Sequence, residues 1–318
     1  MAAGSFEGQY VWSPAANDRA LAHACMDVRT GRYLSAHKVL QEAREDFEVR
    51  AHRSLVLASV AADSDLAERW LAEEPGPEAA LLWARVAMLR ALRMADAGDR
   101  RQGALARIAQ TACERAAKLL PDDPTPWVAQ LALARLDRPL DPAPQGLLTA
   151  PPGPWYLFAH ILRLAPWHRE AHHRFLSFFF TRYGGSSSAS WDVAAFLSQR
   201  APTDSPLRLL PLVALVEDYN PSALLADRTW EQPQWITTAM GIYRNWFPRV
   251  ADYRYTPVLD LAYLAHALFM AKREFEAREV FTAMGPYASR MPWSAFGDPA
   301  DQLTKARRSC GLPVPHDG

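Results

Sequence analysis

The sequence predicts an all-α protein, on three observations. Apolar residues recur at three- and four-residue steps along most of the chain, and Pro and Gly stand where helices start and stop. No stretch alternates apolar and polar residues with β-branched enrichment. The clearest segment is 77–97, where Ala80, Leu81, Ala84, Met88, Leu89, Leu92 and Ala95 form one apolar stripe. Pro77 suits its first turn, where a missing N–H costs nothing, and Gly98 suits its C-terminal cap because glycine tolerates positive φ. Residues 14–30 repeat the plan, with Ser13 as N-cap, Pro14 at the first position and Gly31 as stop. The same period predicts helices at about 32–46, 48–62, 64–73, 100–120, 124–137, 154–165, 167–183, 189–201, 206–219, 233–247, 256–272, 274–287 and 299–310. Short turns join them, a geometry that produces antiparallel helical hairpins.

The hairpins repeat loosely. In 20–48, Ala24 and Ala36 sit twelve apart, with Gly31 and Tyr33 in the turn and Leu40 and Ala43 following. In 261–286, Leu264, Ala265, Leu268, Ala277 and Phe281 fall on the same spacing. In 105–131, Ala109, Ala116 and Pro121 are followed by Trp127. Small residues matter here because two helices approach to ~8 Å only where side chains are small. On these residues the chain resembles the tetratricopeptide (TPR-like) repeat family, an α-solenoid of antiparallel helical hairpins, in a degenerate form. The marks at Ala36, Ala109 and Ala277 are not whole multiples of the ~34-residue repeat apart, so the resemblance requires insertions or lost repeats. It implies a scaffold, adaptor or regulator that binds a protein or peptide partner in a groove; a separate option is a homo-oligomer in which aromatic loop residues self-associate. That family's carboxylate clamp uses Lys, Asn and Arg at set groove positions. The three Asn (17, 220, 245) and four Lys of this chain do not place it.

Two segments interrupt the period. Residues 138–154 hold six Pro and two Gly and read as an ordered strap or linker. Residues 184–190, GGSSSAS, read as a Gly/Ser loop. Only eight of the 34 aromatic residues precede residue 151. The expected organisation is therefore helical repeats over 1–137, the strap at 138–154, and an aromatic-rich helical section over 155–318, packed as one body.

Composition narrows the function. The chain has 318 residues, of which 49% are apolar and 22% charged, which is ordinary for a folded protein. Basic and acidic residues balance at 35 each, and no basic run exceeds Arg307-Arg308, so nucleic acid is not expected as a partner. No stretch reaches the ~18 apolar residues that cross a bilayer, and the N-terminus carries no secretory pattern, so the expectation is a cytoplasmic protein without membrane contact. Only four of the 35 basic residues are Lys, a bias that resembles GC-rich bacterial coding. Cys25, Cys113 and Cys310 are odd in number and widely spaced, which argues against a disulfide framework or zinc ribbon.

Catalytic and cofactor residues are not assigned. His168 and His172, four apart on one helix face, could share a metal but lack a third ligand in the pattern, so they read as ordinary helix residues. Asp122-Asp123 precedes Pro124 and Pro126, which break the helix that an aspartate-rich magnesium box requires; Asp122 reads as a turn and capping residue. The stripe Phe175, Phe178, Phe179, Phe180 and Tyr183, with Trp191 beyond, reads as core rather than pocket lining. Tyr183-Gly184-Gly185-Ser186 suits a helix stop, and resembles a W-G-G-S element of bacterial helical-repeat proteins with Tyr in place of Trp. Exposed aromatics near loops mark interfaces, which makes Trp167, Tyr183, Trp191, Trp230, Trp235 and Trp246 the candidate partner-binding residues. The alternative is an all-α enzyme or small-ligand-binding protein using region 155–196, recognisable by His160, His168 or His172 converging on a closed cavity.

Overall fold

The computed structural model describes residues 9–143, 151–220, 222 and 226–314. Among them, the secondary structure is helical except for two isolated bridges, which establishes the all-α class. The chain forms two compact units. One is Asp18–Val193; the other combines Met1–Asn17 with Ala194–Gly318. The 138–154 segment lies inside the first unit. Its 144–150 portion falls outside the described residues, and its ends meet where Gly153 N–H donates to the Asp141 carbonyl at 3.0 Å.

In the first unit, α1 (Arg19–Arg29), α2 (Leu34–Glu42), α3 (Phe47–Ala61), α4 (Leu66–Glu73) and α5 (Pro77–Asp96) are followed by α6 (Gln102–Leu119), α7 (Thr125–Asp137), α8 (Trp155–Leu164) and α9 (Arg169–Ser177). Helix α1 starts at Arg19, not at Pro14 as the period suggested. Residues 13–16 instead make a turn closed by Ala16 N–H on the Ser13 carbonyl, and Asp18 caps the helix by accepting from Leu21 N–H at 3.0 Å. The odd-numbered helices form one row, in which α1 packs on α3, α3 on α5, α5 on α7 and α7 on α9. Helices α2, α4 and α6 each pack against the next odd helix, forming a second layer. Alanine makes the close approach possible: Ala80 and Ala84 of α5 and Ala109, Ala112 and Ala116 of α6 are fully buried. Ala24 and Ala36, marks of the repeat reading, are likewise buried. Past α9 the expected helix to residue 183 breaks into a turn at Phe178–Phe180 and a 3-10 turn at Thr181–Tyr183. Gly184 (φ +82) closes that turn, and a Cβ on Gly185 would lie 2.0 Å from the Phe179 carbonyl oxygen, so both glycines serve the backbone.

Helix α10 (Ser187–Arg200) runs through the division between the units. The second unit contains α11 (Leu210–Glu217), α12 (Pro233–Asn245), α13 (Val258–Met270), α14 (Glu274–Met284) and α15 (Pro299–Ser309). It also holds 3-10 turns at Pro206–Leu209, Ala226–Glu231, Phe247–Asp252 and Trp293–Ala295. The expected 206–219 helix is split because Pro211 lacks the N–H needed to continue the preceding turn. Residues 9–17 belong here: Val11 exchanges backbone hydrogen bonds with Pro286 and Ala288 at 2.9 Å each, and the buried Tyr10 reaches Thr304 at 3.2 Å. At the centre of the unit, His266 of α13 is wrapped by Trp230, Trp293 and Phe296 at ring distances of 5.0, 5.0 and 4.3 Å.

Candidate functional site

The N-terminal ends of α1, α5, α7 and α9 gather around that of α3, through Asp18 with Arg53, Glu78 and Asp123 with Arg50, and Arg169 with Glu48. Each such end carries about half a positive charge and unpaired N–H groups. The sequence supplies an acid at each: Asp18 for α1, Asp46 for α3, Glu78 for α5, Asp123 for α7 and Glu170 for α9. Asp46 caps α3 through Val49 N–H, and Asp123 accepts from Thr125 N–H at 2.8 Å.

Three fully buried arginines join these acids. Arg50 Nε donates to Asp123 at 2.6 Å, and its guanidinium stands 3.6 Å from Glu78. Arg53 Nε donates to Asp18 at 2.8 Å and Arg53 Nη1 to the Val39 carbonyl. Arg85 makes a two-pronged bond with Glu170, at 2.9 and 2.7 Å. Burial alone would raise the Glu170 pKa, but Arg85 and Arg174 outweigh it and hold the carboxyl down at about 2. Helix α9 also packs on α3, and its Arg169 N–H bonds to Glu48 at 2.7 Å, so α3, α5, α7 and α9 close on one another. Their shared interior is therefore occupied by the chain's own ion pairs.

The histidine pair falls within this cluster. His168 Nδ1 accepts from Ala171 N–H as the cap of α9, which puts the proton of the neutral ring on Nε2. His172 Nδ1 donates to the His168 carbonyl at 2.9 Å. Burial lowers both pKa values to about 4. Each Nδ1 is thus committed to backbone, and no group of three His, Cys, Asp or Glu residues suited to a metal occurs among the described residues. His160 is engaged elsewhere, against the Trp127 ring at 4.5 Å and with Arg163 at 3.0 Å. Asp123, rather than Asp122, is the member of the acidic pair that caps.

The candidate partner-binding aromatics separate into two groups. Trp230 and Trp246 are 1% and 0% exposed, so the expectation that they meet a partner is corrected: both indoles are core. Trp246 Nε1 donates to Tyr253 at 2.9 Å, within a wall of the second unit. Tyr183 is half-buried, with the Arg135 guanidinium 4.0 Å and that of Arg182 4.8 Å from its ring centre. Trp191 and Trp235 are half-buried, and Trp167 is 47% exposed. The phenylalanine stripe is core: Phe175 stacks on Phe158 at 4.1 Å and meets Trp155 and Phe179 edge-on.

An open site lies on the outer layer. A depression of about 390 Å³ runs between the Pro75-Gly76 turn and the face of α6 from Thr111 to Leu119. That volume falls at the small end of the range for ligand pockets, ~300–1,000 Å³. Arg115 and Lys118 line it and make no ion pair among the described residues. Leu119 is 47% exposed, and Ile108, three turns earlier on the same side of α6, is 48% exposed. Sequence reading missed this face because apolar residues on an amphipathic helix are assigned to the core stripe. The spacing gives no warning: Ile108 stands four residues before Ala112 and Leu119 three after Ala116, the same steps that mark the buried stripe.

No protein-family model, no curated protein and no solved structure matches the chain. No helix among the described residues is long and apolar enough to cross a membrane.

Proposed function

We propose that the chain is a non-enzymatic protein–protein interaction module, a TPR-like α-solenoid in its first unit, that works as a scaffold, adaptor or regulator in a bacterial cytoplasm. The two-layer order of α1–α9, with buried alanines at the repeat marks, supports the hairpin-repeat reading. The burial of all three cysteines as free thiols is consistent with a reducing compartment. The single observation that carries the interaction reading is the open depression beside α6, flanked by exposed Ile108 and Leu119. Helix α9 packs on both α7 and α3 and bonds to α5 through Arg85 and Glu170, so the chain itself fills the space these helices share, which supports the α6 face as the docking surface.

A photo-crosslinking residue at position 119 tests the reading, with one at exposed Arg44 as control, in extract of the native host. Position 119 should capture a discrete protein that position 44 does not. If neither position captures a protein, or both capture the same set, the module has no specific partner on this face and the reading fails.

A further inference from the structure

The chemistry of the α6 depression, on which the proposed function rests, also selects its occupant. The walls are aliphatic: Pro75 on one side, Leu119 and the stems of Arg115 and Lys118 on the other. Two of the three charged heads that line it, Arg115 and Lys118, are cationic and make no ion pair among the described residues. Arg115 and Lys118 are exposed and unpaired among the described residues, and so is Arg107, one turn before Thr111. Glu114 shares the wall, four residues before Lys118, and forms no ion pair with it. Lys118 also lies in the last turn of α6, where it complements the helix dipole; Arg115, a turn earlier, has no such role. A ligand for this surface must place carboxylates against two or three cations and apolar side chains against Leu119 and Pro75.

We infer that the α6 depression binds a short acidic segment of a partner protein that carries apolar residues beside its carboxylates. The apolar side chains supply most of the affinity by leaving water, and the carboxylates set register and direction. A nucleic-acid strand fits less well, because its evenly spaced phosphates need a continuous basic track and gain little from aliphatic walls.

A display library of random twelve-residue peptides, selected on the full chain, provides the test. Selected peptides should be rich in Asp and Glu together with Leu, Ile or Phe. Their affinity should fall about tenfold on Arg115→Glu/Lys118→Glu, the effect expected when two exposed charge pairs become repulsions. Arg115→Lys, which keeps the charge, should hold within about threefold and guards against a folding defect, as does an unchanged far-ultraviolet circular dichroism spectrum of the double variant. The inference is overturned if no peptide is selected, if the selected peptides lack acidic residues, or if they bind the double variant equally well. Binding of a fluorescent single-stranded oligonucleotide that depends on Arg115 and Lys118 would also overturn it. Capture at position 119 of a partner without such a segment would leave the interaction module standing while removing this inference.

Discussion

In residues 18–193, helices meet through alanine and the charges point inward. In the unit formed by residues 9–17 and 194–314, helices are shorter, 3-10 turns are frequent and indoles fill the gaps. Buried Arg50, Arg53 and Arg85, each bonded to an acid at a helix N-terminus, tie the first unit together. Trp230, Trp246 and Trp293, all within 1% of full burial, tie the second together, and His266, against Trp230 and Trp293, has no hydrogen-bond partner at Nδ1. Long parallel helices bring positive helix ends into one place, where acids and then counter-cations are required. Broken helices do not align their ends and need bulk instead. The two kinds of core should therefore fail in different ways.

The largest difference is expected at the Arg85–Glu170 bond. Arg85→Met leaves a buried carboxylate without its main partner and should cost about 4 kcal/mol. Arg85→Met/Glu170→Leu should recover most of that loss, since an apolar pair of similar volume replaces the charges. Hydrogen exchange, which reports each unit separately, should show the single variant loosening residues 18–193 and sparing the other unit. If the double variant is as unstable as the single one, the ion pair is not what governs that core. Next comes Trp230→Ala, expected to cost about 3 kcal/mol through cavity formation, with the exchange effect confined to the second unit. A stability change near zero would return Trp230 to the surface.

Acid should separate the units more gently. His168 and His172 have native pKa values lowered to about 4, chiefly by burial, whereas unfolded histidine titrates near 6.5. Above pH 6.5 both states are neutral and stability is complete. As pH falls toward 4 the unfolded state takes up protons that the native state refuses, and stability drops. Glu170 continues the trend below its unfolded value of 4.5, down to about 2. His266, lowered to about 3, acts in the same sense on the second unit but without a second histidine beside it. Denaturation followed by exchange from pH 7 to 4 should show residues 18–193 losing protection first; simultaneous loss would contradict the sign and size of this effect. The smallest effect is that of Trp167→Ala, within about 0.5 kcal/mol, because its indole is 47% exposed.

The helices were legible because their period is strong, as in 77–97, where the expected and observed ends agree within a residue. The start of α1 was not, because Ser13-Pro14 and Asp18-Arg19 offer rival caps and long-range pairing of Val11 with residues 286–288 decides between them. Trp230 and Trp246 looked exposed since 3-10 segments have no apolar period to announce a buried face. Nothing local marks Arg50, Arg53 and Arg85 as buried: their acids lie up to 85 residues away and only the fold brings them together. The depression beside α6 depends on what does not cover that helix, which no local pattern encodes.

Because residues 10–17 complete the unit to which α13–α15 belong, residues 18–193 are, in effect, an insertion between the two pieces of another unit. During synthesis the first piece emerges long before its docking site around residues 286–288 exists. At ~5–20 residues per second, Tyr10 and Val11 wait on the order of tens of seconds for a partner. The inserted unit can fold during that interval, whereas the surrounding one cannot close until residues 286–288 have been made.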